Sequence, residues 1–188
     1  MLRGLDGSAY LAIADQYMRG RRATTSFAGS LFDSSAPLAD PTGFVLADYA
    51  CRILESNRIA PPEGDLVFVI TSNFPAAAQG VYCAWHGSAN CHGQSILLAY
   101  TPNPTGSWCD SGTDVCKTGL SVPTLSLLTM GAHELMESIT DPFGSAWHGR
   151  EGWEMADRCG FQACVPLSTG TFELPHLYSN ANHACIAR

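Results

Sequence analysis

The stretch Pro123–Pro142, PTLSLLTMGAHELMESITDP, decides how this chain is read. Pro123 and Thr124 mark the start of a helix. Asp141-Pro142 ends it, because the residue before a proline avoids helical geometry. Between them Leu125, Leu127, Leu128, Met130, Ala132, Leu135, Met136 and Ile139 make the segment apolar on most sides, which predicts a largely buried helix. His133, Glu134 and Glu137 lie inside it. Unpaired charge in such a setting costs on the order of several kcal/mol. These side chains must therefore pair with one another or hold a cation.

His133 and Glu137 are four apart, so a helix carries them on one face, one turn from each other. A histidine and a carboxylate so placed can chelate one divalent ion. Glu134 sits beside them, where helical zinc hydrolases keep their general base. The pattern is a metal site of zincin type. A catalytic zinc uses three protein ligands and an open position. The third ligand is expected downstream, from Asp157 or Glu154, which lie 20 and 17 residues past Glu137. One histidine with two carboxylates is a harder donor set than two histidines and tolerates manganese or calcium better. Glu134 can take a proton from the attacking water and pass it to a leaving group. His86 can serve as a fourth ligand or an oxyanion donor; the plainer reading is a strand-end histidine. Asp141 reads as a helix stop, Asp157 beside Arg158 also fits a surface ion pair, and Trp85, Trp147 and Trp153 fit core packing as well as a stacking wall. A hydrogen-bonded cluster without metal is the plain alternative for the whole helix motif.

Composition frames these readings. The 188 residues suffice for one domain with a sizeable core, expected to span 1–188. Charged residues are only 14%, the net charge is −7, and Lys117 is the only lysine. Such a balance argues against nucleic acid as a partner, which needs a basic face. No apolar run is long enough to span a bilayer. The residues from Met1 onward lack the apolar segment of a secretory leader, so the expectation is either a trimmed mature domain or a chain not secreted by that route, and the cysteines favour the first.

Eight cysteines favour an oxidising compartment. They contain no Cys-x-x-Cys pair, and their spacing is not that of a zinc finger. Three neighbouring pairs can each close a short loop: Cys83 with Cys91, Cys109 with Cys116, and Cys159 with Cys164. Many other connectivities remain open. Elsewhere, Tyr10–Met18 fits a strand or a short helix, and Thr24–Phe32 can pair as a strand. Asp40-Pro41 starts a helix running to about Asn57, broken by Pro61-Pro62 and Gly64. Leu66–Ile70 predicts a buried strand, and Val81–Trp85 and Ser95–Tyr100 two more. A loop runs from Thr101 to Gly119. After Phe143 the chain reads as irregular, with Gly144, Gly149 and Gly152 interrupting it.

Several motifs in order carry a resemblance. They are the Tyr10 segment, Asp65–Ser72 in the form Asp-x-Val-x-Val-x-Thr-Ser, and Tyr82-Cys83-Ala84-Trp85-His86 against a Tyr-Cys-Gly-Trp-His pattern. They continue with His133-Glu134-Leu135-x-Glu137, Thr140-Asp141-Pro142, Trp147 and Glu154-x-Ala156-Asp157-x-Cys159. The chain resembles the EXORDIUM, or phosphate-induced protein 1, family over nearly its whole length. It departs in its compactness and in Ala84, where that family has glycine. The family is known mainly from plants, as secreted cell-wall or apoplastic proteins. The resemblance implies a secreted, disulfide-bonded product and leaves the biochemistry open.

The expected fold is α+β and zincin-like, a small mixed sheet packed on a buried active-site helix. The expected function is that of a secreted zinc-binding protein with a metallohydrolase-like site, most plausibly a metallopeptidase acting on a peptide or cell-wall substrate. His133, Glu137 and Asp157 would hold one zinc ion, with Glu154 or His86 as a supporting or substitute ligand and Glu134 as the base. The competing expectation is a non-catalytic extracellular binding or signalling module with a structural metal. A carbohydrate-binding wall protein, resting on the tryptophans, is a third.

Overall fold

The computed structural model describes residues 1–60, 63–110 and 113–188; the expected break at Pro61-Pro62 lies outside them. The fold is α+β. Its first sheet has three strands, β1 (Leu66–Thr71), β2 (Trp85–Cys91) and β3 (Gln94–Pro102). β3 is central, with β1 parallel on one side and β2 antiparallel on the other. It is buried from Ile96 to Pro102, hence its unbroken apolar run. His92 and Gly93 close the β2–β3 hairpin with φ of 53° and 92°, as a two-residue turn with both centres left-handed requires. Pairing counted back from that turn ends at Trp85, opposite Tyr100. The expected strand at Val81–Trp85 is therefore misplaced: Trp85 is its only residue in the ladder, and β2 continues to Cys91.

Helix α1 covers Gly43–Ser56 and buries Leu46 and Ala50. Its first backbone bond runs from Leu46 N–H to Thr42 O, so Thr42, not Asp40, is the N-cap. Thr24–Phe32 forms no strand. Asp15 and Asp6 hold Ala23 and Thr25 by their N–H groups instead, and Leu31 and Phe32 are left exposed. Tyr10–Met18 resolves into a 3-10 helix, Leu11–Tyr17.

Helix α2 covers Val122–Thr140, with Pro123 in its first turn and Asp141 as C-cap. The Asp141 carboxylate accepts the N–H groups of Ser145 and Ala146, both at 2.7 Å, which confirms its helix-stop role. α2 packs between the first sheet and a second, two-stranded one, β4 (Gln162–Leu167) with β5 (Gly170–Pro175). A last pair, β6 (Leu177–Ser179) with β7 (Ala184–Ile186), completes the chain. The segment after Phe143 is thus irregular only until Phe161. Pro166, Pro175 and the fully buried Glu173 interrupt the apolar alternation of β4 and β5, which hid both strands in the sequence.

Two apolar clusters result. One joins Ala132, Leu135 and Met136 of α2 with Tyr10, Leu11, Met155, Leu174 and Leu177. The other joins Leu46, Ala50, Val69, Ile96, Leu98 and Tyr100 between α1 and the first sheet. Four disulfides brace them: Cys51–Cys91, Cys83–Cys109, Cys116–Cys164 and Cys159–Cys185. None of the three neighbouring pairs is used. Cys83 and Cys91 are held apart by the extended β2 between them, at roughly 3.3 Å per residue. Cys164 on β4 and Cys185 on β7 instead face residues distant in sequence. Loops of this length give on the order of 3–4 kcal/mol of stabilisation per disulfide. The four disulfides fit an oxidising compartment. No described helix is long and apolar enough to cross a membrane.

Candidate metal centre

Glu137 is the hub. Its side chain is 4% exposed, and its Oε1 accepts the backbone N–H groups of Ala156 and Asp157, both at 3.2 Å. These two bonds carry the 153–157 loop across to α2. Met155, fully buried, and the bond from Tyr178 N–H to its carbonyl fix the loop from the other side. Cys159–Cys185 and the Arg158 guanidinium over the Tyr178 ring hold the next residues of the chain. Arg158 pairs with Glu151, and the alternative Asp157–Arg158 ion pair is not among the ion pairs of the described residues. Asp157 turns to His133 instead.

The other oxygen of Glu137, Oε2, lies 3.1 Å from His133 Nε2, and Asp157 Oδ1 lies 3.2 Å from the same nitrogen. This outer group contains one helix pair and the downstream carboxylate, as the sequence suggested. Ligand atoms of a tetrahedral zinc lie roughly 3.3–3.4 Å apart, given bonds of about 2.0–2.1 Å. The two separations from His133 Nε2 are close to that spacing, and one donor atom from each of the three residues lies within 4.8 Å of the others, so the group could hold a divalent ion. Asp157 is 40% exposed, which leaves the group open on one side.

An inner group forms on the other flank. His86, the second residue of β2, reaches α2 with Nδ1 at 3.2 Å from Glu134 Oε2 and 3.8 Å from Glu137 Oε2. Its Nε2 lies 3.3 Å from the Asp141 carbonyl and 3.7 Å from Glu154 Oε1. His86 and Glu134 are 9% and 7% exposed. Glu154 Oε1 is buried without a hydrogen-bond partner. Glu154 thus belongs beside His86, not His133, and Asp157 is the downstream residue that reaches the helix pair. The sequence offered His86 as an accessory; its joining Glu134 and Glu137 depends on the β2–β3 register and has no local signal beyond the Tyr82–His86 motif.

Four carboxylates face two imidazoles here, and shared protons offset the excess of negative charge. Burial disfavours the His86 cation, but the Glu134 hydrogen bond and the charges of Glu154, Glu134 and Glu137 outweigh it and lift its pKa to about 9. Both of its nitrogens face acceptors, which only the imidazolium satisfies. Burial likewise opposes a charged His133, and the bonds to Asp157 and Glu137 raise its pKa well above the ordinary value. Burial raises Glu134, against the pull of His86 and His133. Burial and the charge of Glu137 lift Glu154 to about 7. The His133 hydrogen bond lowers Asp157. A cation would do the work of these protons.

The tryptophans make no common wall. Trp147 packs near the rings of Tyr17 and Tyr178, Trp85 lies against Tyr100, and Trp153 is exposed. His92 and His148 pair loosely with Glu55 and Asp141, and His176 bonds the Phe161 carbonyl. No protein-family model, no curated protein and no solved structure matches this chain.

Proposed function

We propose that this chain is a secreted zinc-dependent hydrolase of zincin type, most plausibly a metallopeptidase. The observation that carries the reading is the outer group: His133 and Glu137 on one face of α2, with Asp157 Oδ1 brought to 3.2 Å of His133 Nε2. His133, Glu137 and Asp157 would hold the ion. A zinc ion bound there would supply Lewis acidity for the carbonyl and for water. Glu134, next to His133 and 5% exposed, accepts that proton on its carboxylate and returns it to the leaving amine. His86, fixed to Glu134 Oε2 at 3.2 Å, holds that carboxylate in place. The Ala156 and Asp157 N–H groups on Glu137 Oε1 leave only Oε2 to face His133, which orients the ligand.

The four disulfides and the resemblance to the EXORDIUM family support an extracellular setting. A peptide or cell-wall polymer is the corresponding substrate class. The experiment is hydrolysis of a mixed peptide library by zinc-loaded wild type beside Glu134→Gln. Cleavage by wild type, lost in Glu134→Gln with its zinc retained, supports the reading; equal turnover by both removes Glu134 as the base. The second reading is a binding or signalling module with a structural metal. The observation favouring it is that Glu134 is already engaged by His86. Bound zinc without any turnover is its signature.

A further inference from the structure

The inner flank of Glu137 repeats the donor chemistry of the outer one. We infer that His86 Nδ1, Glu134 Oε2 and Glu137 Oε2 form a second divalent-cation site that shares Glu137 with the first and, when filled, regulates it by occupying Glu134. This rests on the reading of the outer group as a zinc site.

The geometry supports it directly. His86 Nδ1 lies 3.2 Å from Glu134 Oε2 and 3.8 Å from Glu137 Oε2, and the three donor atoms lie within 4.8 Å of one another. The outer donors, also within 4.8 Å of one another, use the same Glu137. A single carboxylate oxygen between two imidazole nitrogens is the arrangement of a bridged pair of cations, typically about 3.5–4 Å apart. Charge points the same way. Four carboxylates, Glu134, Glu137, Glu154 and Asp157, converge on two imidazoles, and a divalent ion bound there would take the place of the protons they share. Glu154 Oε1, buried without a hydrogen-bond partner and 3.7 Å from His86 Nε2, adds a further acceptor oxygen on the inner side.

The two sites differ in affinity. The inner donors are nearly dry, so an ion must shed its water to enter, and one of its ligands is already committed to the outer ion. The inner ion binds second and more weakly. Its occupation has a chemical consequence, because a carboxylate that ligates a cation cannot accept a proton at that oxygen. Excess zinc therefore switches off the base while the outer ion stays in place.

The test is equilibrium dialysis of the full, disulfide-intact chain against zinc alone, with metal counted per chain. Wild type is expected to bind two ions, one surviving dialysis against a weak chelator and one lost. His86→Gln is expected to bind one, the tight one. Glu134→Gln, which changes a single oxygen to an amide, is expected to keep the tight ion and to bind the second about tenfold more weakly or worse. One ion in wild type, or two of unchanged affinity in both variants, overturns the inner site and leaves the outer one standing. No ion in wild type overturns the outer site itself, and the inner one with it.

Discussion

On its outer flank Glu137 meets His133 and Asp157, the latter half in solvent and fixed by a loop from the C-terminal half of the chain. On its inner flank it meets His86 and Glu134, both nearly dry, the first delivered by the β2–β3 hairpin. The residue types match, but the solvation and the supporting structure do not. The open flank suits an ion that must meet a substrate. The dry flank suits a carboxylate whose proton affinity must be raised, which burial accomplishes for Glu134. In the proposed reading, the Glu137 Oε2 oxygen lies between the outer ion and the Glu134 carboxylate that acts as base.

The comparison breaks most completely at Glu137. Glu137→Ala removes the donor common to both flanks and the acceptor of the Ala156 and Asp157 N–H groups. It should abolish metal binding and cost about 2–4 kcal/mol by chemical denaturation, because one buried and one half-buried donor lose their partner. Glu134→Gln touches only the inner flank. It should leave the tight ion in place and lower peptide hydrolysis about 10²–10⁴-fold, the usual range for a lost general base. Met136→Ala, a fully buried change beneath both flanks, should cost about 2–5 kcal/mol of stability.

A smaller effect sharpens the comparison through pH. In the folded metal-free chain His86 keeps its proton to about pH 9, against an ordinary value of 6.5, and Glu154 keeps its own to about 7, against 4.5. The folded state therefore binds more protons than the unfolded one between those limits, and its stability falls as pH rises. The Glu154 contribution is lost between 4.5 and 7, and the His86 contribution between 6.5 and 9. Asp157, lowered by His133, acts in the opposite sense but only at and below its ordinary value of 3.8. Melting curves in chelator should shift down between pH 5 and 9, and zinc should flatten that slope. A melting temperature that rises over the same interval would contradict the proton assignment.

The features legible in the sequence are the local ones. The i,i+4 spacing of His133 and Glu137 needs only a helix, and the apolar stripe of α2 with its Asp141-Pro142 stop specifies one. The buried run Leu66–Ile70 needs only turn residues around it. Asp157 is legible as a candidate beside Glu154, but choosing between them depends on backbone N–H groups reaching Glu137 from 19 and 20 residues away. The inner group depends on a hairpin register, which residue types do not carry. The disulfide pairing escapes the sequence for the same reason: proximity along the chain is a poor guide when an extended strand such as β2 lies between two cysteines. The strands β4 and β5 are hidden by prolines and by Glu173, whose carboxylate accepts the Val115 N–H in the interior.

If the outer flank of Glu137 is a metal site, metal content will show it. Wild type and His133→Ala, purified side by side without chelator, would be measured for zinc per chain and for melting temperature. About one tightly held zinc in wild type, absent from a folded His133→Ala, is the predicted result. Metal-free wild type, or equal zinc in both, would rule this out and leave the cluster as a proton-sharing network between α2, β2 and the 153–157 loop.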